Sequence, residues 1–203
     1  MTADFIDSVR DEMQTPLSRL GSSKSIYADT EGQMEDDTVV ATALANEEAA
    51  ADVFDDWAST GGPLGEAFGD AADVAREHAE ELDGRTDAEA DPSVIYDHLA
   101  GVEGSVARLG AFVGRSLVEE KKTGQRTGYF TGQADPQTAR VFREFGNDLD
   151  TQLEQAVDLL EGQCESDDDW TVAEDAAVDV IEAAYDEYVE TLESMGVNPK
   201  DVC

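Results

Sequence analysis

The chain has 203 residues, of which 48 are Asp or Glu and 13 are Lys or Arg, and its formal net charge is −35. This composition offers no basic patch for binding nucleic acid, and the anionic headgroups of a membrane would repel it. Self-repulsion of this size opposes folding unless counter-ions screen it, so the charge predicts a halophilic protein of a salt-rich cytoplasm.

The length and the 40% apolar share of the chain predict a single domain over residues 1–203. Asp4 and Asp7 stand where a secretory signal would have a cationic start and an apolar run, which favours a cytoplasmic location. No apolar segment approaches the roughly 20 residues that cross a bilayer. Cys164 and Cys203 are too few for a disulfide framework, so we expect free thiols.

Six successive segments carry apolar residues at every third or fourth position, which is the spacing of an amphipathic helix. The first helix is predicted over residues 3–14, and Thr15–Pro16 has the N-cap and first-turn pattern of a new start. The second helix follows the apolar stripe Val40–Trp57, and the third follows the stripe Leu64–Leu82. Glycines beyond each of these two stripes predict where the helices end.

The fourth predicted helix is rich in glycine. It begins at Asp91–Pro92 and carries an apolar stripe as far as Leu117, and a loop is predicted at 124–133. Each glycine inside a helix costs about 1 kcal/mol relative to alanine, so their number indicates that another helix packs closely against this face. The glycines concerned are Gly101, Gly104, Gly110 and Gly114.

The last two predicted helices are separated by an acidic linker at 163–170. The fifth helix opens at Asp135–Pro136 and ends at Gly162, and Thr171 and Glu174 form a capping-box pair for the sixth. Short connections between long amphipathic helices favour antiparallel neighbours. The sequence therefore predicts an all-α fold, an antiparallel helical bundle of about six helices that closes within one chain or across a homodimer.

Two polar residues interrupt the apolar stripes of neighbouring helices. Glu47 lies between Leu44 and Ala51, and His78 follows Ala75 on the next helix. Burying an isolated charge is expensive, so each residue needs a partner. The pair is compatible with a hydrogen-bonded pair in the core, with a metal site of the kind that helical bundles build, or with a pocket of another use.

Stretches of this chain resemble a known family. Residues 45–57 (ANEEAAADVFDDW) and 73–82 (DVAREHAEEL) are similar to the first two core helices of rubrerythrins and other ferritin-like proteins. Residues 17–30, 110–118 and 142–153 resemble an acidic haloarchaeal branch described as rubrerythrin-like. The resemblance covers most of the chain, and it implies an iron-binding four-helix core with peroxidase or oxidase chemistry.

The resemblance implies a set of metal ligands, namely Glu47, His78, Glu77, Glu103 and Glu144. This set departs from the family pattern, because Ala75 stands where a Glu-x-x-His motif ending at His78 needs glutamate, and Asn147 stands where the second motif needs histidine. The chain also lacks a Cys-x-x-Cys pair for a rubredoxin-type iron. We therefore expect an altered metal centre without robust catalysis, and metal-dependent oxidoreductase chemistry if the protein is an enzyme.

Ferritin-like topology also needs a long connection between its second and third core helices. The predicted connection at 83–90 would span only about 26 Å when fully extended, which is short for that path. A binding protein is the alternative, such as an all-helical maturation chaperone of molybdenum oxidoreductases. The pair Asp97–His98 resembles an Asp-His pair of those chaperones and favours this alternative, whereas Tyr96 disfavours it because they have proline at that position. An exposed apolar groove near Tyr129 and Phe130 would support that alternative.

Overall fold

A computed structural model describes residues 2–200, and within this range the chain forms nine α-helices and no strand. The predicted all-α bundle is thereby confirmed. The helices are α1 Thr2–Glu12, α2 Gln14–Leu20, α3 Ser23–Asp29, α4 Asp36–Ala58, α5 Gly62–Asp83, α6 Ile95–Ala100, α7 Ser105–Gly132, α8 Pro136–Gln163 and α9 Asp167–Ser194. Among the described residues, no helix has the length and apolar character that a membrane span requires.

The bundle is built from two helical hairpins and a fifth long helix. α4 and α5 pack extensively against each other as one hairpin, and α7 packs in the same way against α8. α9 covers another face of α7, whereas α5 and α8 touch each other only sparsely. The two hairpins are joined by residues 84–104, which include α6. This link is longer than the predicted connection at 83–90.

The link is longer because the predicted fourth helix is two helices. α6 ends at Ala100, Gly104 has a φ of 90°, and α7 begins at Ser105. Leu99 is buried and Val102 packs against the same core, so the apolar stripe continues across this break. The spacing of apolar residues alone therefore could not distinguish one long helix from two.

The predicted loop at 124–133 is wrong, since α7 continues to Gly132. Gly124, Gly128 and Gly132 each disfavour a helix by about 1 kcal/mol. Tertiary packing outweighs this preference, because Arg126 and Phe130 of the same segment are buried against neighbouring elements.

Two predicted helix starts also differ from the structure. α2 begins at Gln14 after an uncapped Met13, and Pro16 lies in the first turn, where a missing N–H does no harm. α9 begins at Asp167, within the predicted acidic linker, because Ser166 and Asp169 form the capping box. Carboxylates in a first turn interact favourably with the positive end of the helix dipole. The pattern at Thr171 and Glu174 therefore lies inside α9.

Other local predictions are confirmed. The Asp135 side chain caps α8 by accepting hydrogen bonds from the Gln137 and Thr138 N–H groups. Cys164 is free and partly buried, whereas Cys203 lies outside the described residues.

Buried apolar side chains form two clusters, and charged or polar side chains lie between them. Along α4, the smaller cluster includes Val40, the larger includes Phe54, and Glu47 lies between. Along α7, Leu117 belongs to the larger cluster and Phe130 to the smaller. We call the buried residues between the clusters the polar layer, which comprises Asn46, Glu47, His78, Arg115, Glu119, Lys122 and Arg126.

Two glycines allow α9 to approach α7. A Cβ atom on Gly110 would lie far inside van der Waals contact with the carbonyl oxygen of Ala173, and one on Gly114 would overlap that of Ala177. The predicted close packing is thus confirmed at these two positions. Gly101 and Gly104 belong instead to the break before α7.

We predict that Gly110→Ala destabilises the protein by at least about 1–3 kcal/mol, because the added methyl group meets backbone that cannot move aside. Gly124→Ala is the matched control in the same helix, where a Cβ meets no atom within 4 Å. That change should stabilise the protein by about 1 kcal/mol. Chemical denaturation in molar KCl measures both effects, and equal effects of the two changes would contradict the packing described for α7 and α9.

Candidate functional site

Two of the five predicted metal ligands meet inside the bundle. Glu47 of α4 and His78 of α5 are each 7% exposed, and Oε2 of Glu47 lies 3.4 Å from Nδ1 of His78. Both side chains occupy positions on the apolar stripes of their helices, which directs them inward. The hairpin of α4 and α5 then brings them face to face.

The other three predicted ligands lie away from this pair. Glu77 and Glu103 are exposed, and Glu144 is exposed and accepts a 2.8 Å hydrogen bond from Arg140. Across residues 2–200, no group of three or more His, Cys, Asp or Glu side chains is arranged to hold a metal ion. Metal binding by this set stays a prediction, and the geometry unites only Glu47 and His78.

A buried arginine contacts the pair from a third helix. Arg115 of α7 is 2% exposed, and its Nη2 donates to both carboxylate oxygens of Glu47 at 3.4 Å. Its guanidinium carbon lies 5.6 Å from the centre of the Phe54 ring, within reach of a cation–π interaction. The buried Tyr96 hydroxyl lies beside it. Arg115 is therefore fixed by α4, α6 and α7 together.

Arg115 is the first of four charged residues that share one face of α7. Glu119, Lys122 and Arg126 follow at intervals of four, three and four residues, and all four are buried. Nη1 of Arg126 donates to Glu119 at 2.9 Å, and Nζ of Lys122 donates to Asp29 of α3 at 2.8 Å. Three cations thus face three carboxylates, those of Glu47, Glu119 and Asp29.

An asparagine joins the polar layer to the link between the hairpins. Nδ2 of Asn46 donates to Glu119 at 3.3 Å, and Oδ1 of Asn46 accepts from the Ser93 N–H at 2.9 Å. The Ser93 hydroxyl in turn donates to Glu187 of α9. The polar layer therefore connects α3, α4 and α7 directly and reaches α9 through Ser93.

The charges of the polar layer stabilise one another. Burial raises the pKa of Glu119, but the neighbouring Arg126, Arg115 and Lys122 outweigh burial and lower the pKa overall. Burial lowers the pKa of Lys122, but Asp29, Glu119 and Glu187 outweigh it and raise the pKa overall. Both groups are therefore charged at neutral pH.

His78 also favours its charged form. Burial opposes protonation, but the carboxylates of Glu47 and Asp148 outweigh burial and raise the pKa of His78 above 6.5. Nε2 of the imidazole lies 3.1 Å from Asp148 of α8, and the ring stacks on Phe145 at 3.6 Å between ring centres. The helices α4, α5, α7 and α8 thus each supply one charged group to a single chain of contacts.

Sequence reasoning did not propose Arg115, Glu119, Lys122 or Arg126 as site residues. The available signal was the regular spacing of these charges in a chain with only 13 basic residues. A charged stripe on a helix normally marks a solvent-exposed face, and only the fold shows that this one is buried.

Comparison with protein-family models, with curated proteins and with solved structures finds no match to this chain. The functional assignment therefore depends on the site.

We predict that Arg115→Met destabilises the protein by about 3–5 kcal/mol, because it leaves the buried Glu47 carboxylate without the guanidinium that it contacts. Arg140→Met is the matched control, since Arg140 also pairs with a glutamate but on the exposed surface of α8, and its effect should be small. Denaturant titration in molar KCl measures both. Similar effects of the two changes would show that the buried ion pairs do not support the fold.

We predict that His78 makes stability depend on pH. Because its folded-state pKa lies above the ordinary 6.5, its contribution is complete below about pH 6.5 and is lost as the pH rises through the folded-state pKa. Wild type should therefore lose stability relative to His78→Gln on going from mildly acidic to alkaline pH. His98→Gln, at an exposed position, should keep the wild-type profile. A profile unchanged in His78→Gln would contradict this assignment.

Proposed function

We propose that this protein is a non-catalytic binding protein of a salt-rich cytoplasm, built on a ferritin-like core in which fixed ion pairs take the place of a metal centre. The contact of Arg115 with Glu47 carries this proposal. It places a permanent positive charge against the carboxylate that the family resemblance implies as a metal ligand.

The order of the helices supports a ferritin-like core. Ferritin-like bundles have one long connection, and their di-metal members direct carboxylates and histidines inward from four helices. Here two hairpins are joined by residues 84–104. Glu47, His78, Arg115 and Asp148 come from the first, second, third and fourth of these helices in turn.

The charges at this position disfavour a metal ion. A divalent cation at Glu47 would have to displace a guanidinium that contacts both carboxylate oxygens, leaving the guanidinium buried and unpaired. A histidine binds a metal only when it is neutral, and the surroundings of His78 favour its protonated form. Both effects oppose the redox chemistry of rubrerythrins.

Two cavities, one beside the polar layer and one beside Asp148, support a binding role. The larger, of about 310 Å³, is a polar cleft lined by residues that include Lys122, Asn46 and Glu187. The smaller, of about 130 Å³, lies beside Asp148. The larger volume falls within the range of small-molecule sites.

The chaperone alternative depends on an exposed apolar groove at Tyr129 and Phe130. Phe130 is 1% exposed and stacks on Phe142, and the Tyr129 hydroxyl is hydrogen-bonded to the Met34 carbonyl oxygen. These residues do not form the expected groove, so no observation favours the chaperone over the binding role proposed above.

We predict that protein loaded anaerobically with Fe²⁺ or Zn²⁺ in molar KCl retains no stoichiometric metal after desalting and shows neither oxidase nor peroxidase turnover. Elemental analysis and activity assays on wild type and His78→Ala test this. Stoichiometric metal in wild type that disappears in His78→Ala would overturn the proposal and make a metal oxidoreductase the working assignment.

A further inference from the structure

The first part of the link between the hairpins lies between two cavities. Residues 86–93 form no regular secondary structure, and none of them is buried. Part of this segment lines the polar cleft of about 310 Å³, and part of it lines a third cavity of about 480 Å³. Glu89, Ala90 and Asp91 line both. The segment therefore has open space on two sides.

This segment is hydrogen-bonded to the rest of the bundle at its two ends. At one end, the Thr86 hydroxyl donates at 2.9 Å to a backbone carbonyl oxygen in the first turn of α4. At the other end, the Ser93 N–H donates to Asn46 and the Ser93 hydroxyl donates to Glu187. Within the described chain, residues 87–92 form no hydrogen bond or ion pair with another element. The middle of the segment is therefore held only by its ends and by packing.

The packing beneath the segment consists of small side chains. Ala41 and Ala45 of α4 are buried, although neither belongs to one of the two apolar clusters. Both line the third cavity together with Ala88 and Ala90 of the segment, which covers them. Because alanine side chains bury little apolar area, the apolar attraction between the segment and α4 is weak.

Carboxylates oppose the position of the segment against the cleft. Glu89 and Asp91 of the segment face a cleft whose other walls also carry carboxylates, those of Asp29, Glu31 and Glu187. Repulsion between like charges extends over a Debye length, which is about 3 Å in 1 M salt and about 10 Å in 0.1 M salt. The repulsion is therefore well screened in molar salt and grows as the salt is diluted.

We propose that residues 87–92 are a lid that moves away from α4 between its two hydrogen-bonded ends and opens the polar cleft to a ligand. With the lid open, the polar cleft and the third cavity join, and Asn46 and Lys122 of the polar layer line one continuous groove. Diluting the salt favours the open lid. The proposal rests on the binding function proposed above, because it describes how a ligand reaches that cleft.

Thiol labelling beneath the lid measures its opening. In the full chain with Cys164→Ser and Cys203→Ser, Ala41→Cys places a thiol beneath the lid, and Ala43→Cys places one in the smaller apolar cluster. Both alanines are 2% exposed, so exposure alone does not distinguish them. In molar KCl, we expect neutral iodoacetamide to label Ala41→Cys about tenfold faster or more, because a local opening requires less free energy than unfolding.

Two further positions keep the test usable if either variant does not fold. Ala45→Cys also places a thiol beneath the lid, and Ala50→Cys places one in the larger apolar cluster of the same helix. Lowering the KCl concentration should accelerate labelling beneath the lid. The rate at the thiol in the apolar cluster should stay constant as long as the bundle remains folded, which circular dichroism checks.

Variants of the lid test its ends and its charges separately. Ser93→Ala removes the hydroxyl bond to Glu187 and should accelerate labelling beneath the lid about tenfold. The double change Glu89→Gln/Asp91→Asn removes the lid charges that face the cleft, so it should slow labelling and reduce its dependence on salt. Asp87→Asn is the matched control, since Asp87 belongs to the lid but lines neither cavity, and it should leave the rate nearly unchanged.

Two outcomes would overturn the lid. The first is an equal labelling rate for the thiol beneath the lid and the thiol in the apolar cluster, because both would then depend on unfolding of the bundle. The second is a rate beneath the lid that neither Ser93→Ala nor Glu89→Gln/Asp91→Asn changes. Both outcomes leave the proposed function standing. Stoichiometric metal at His78 would instead overturn the proposed function without altering the labelling rates.

Discussion

The mutual pairing of charges in the polar layer is the constraint on which the rest of the structure depends. Moving a charged group out of water costs several kcal/mol, and a protein recovers this only where a partner and hydrogen bonds are in place. Arg115 and Glu47 link α7 to α4, and Lys122 and Asp29 link α7 to α3. A shift of α7 along its axis would separate these pairs and leave buried charges alone. We therefore infer that the polar layer fixes the register of α7 in the bundle.

The buried charges of the polar layer are paired, whereas the chain as a whole carries a large excess of acid. The two arginines and the lysine of the polar layer face the carboxylates of Glu47, Glu119 and Asp29, so the excess of acid that gives the net charge of −35 lies elsewhere, largely on exposed helix faces. Salt screens exposed charges strongly and buried pairs only weakly. Added salt therefore weakens the repulsion between surface charges while the interior pairs keep their strength.

Apolar spacing was enough to predict α4, α5 and α8, because one face of each carries most of its buried residues. It also drew attention to Glu47 and His78, which are polar residues at apolar positions. It failed for α7, which packs against α8 and α9 and also buries Arg115 and Glu119 on a charged face. Pattern reasoning assigns such a face to solvent. The burial of Arg115 and Glu119 depends on partners in distant elements, and the spacing of residues along one helix does not reveal these partners.

Asp148 contacts His78 on one side and lines the cavity of about 130 Å³ on the other. The proposed function requires that an arginine, and not a metal, neutralises Glu47. Anomalous diffraction at the iron edge, from crystals soaked anaerobically with ferrous iron in molar KCl, tests it most directly. We expect Arg115 in contact with both oxygens of Glu47 and no anomalous peak between Glu47 and His78. A strong peak bound by these two side chains, with Arg115 displaced, would contradict it.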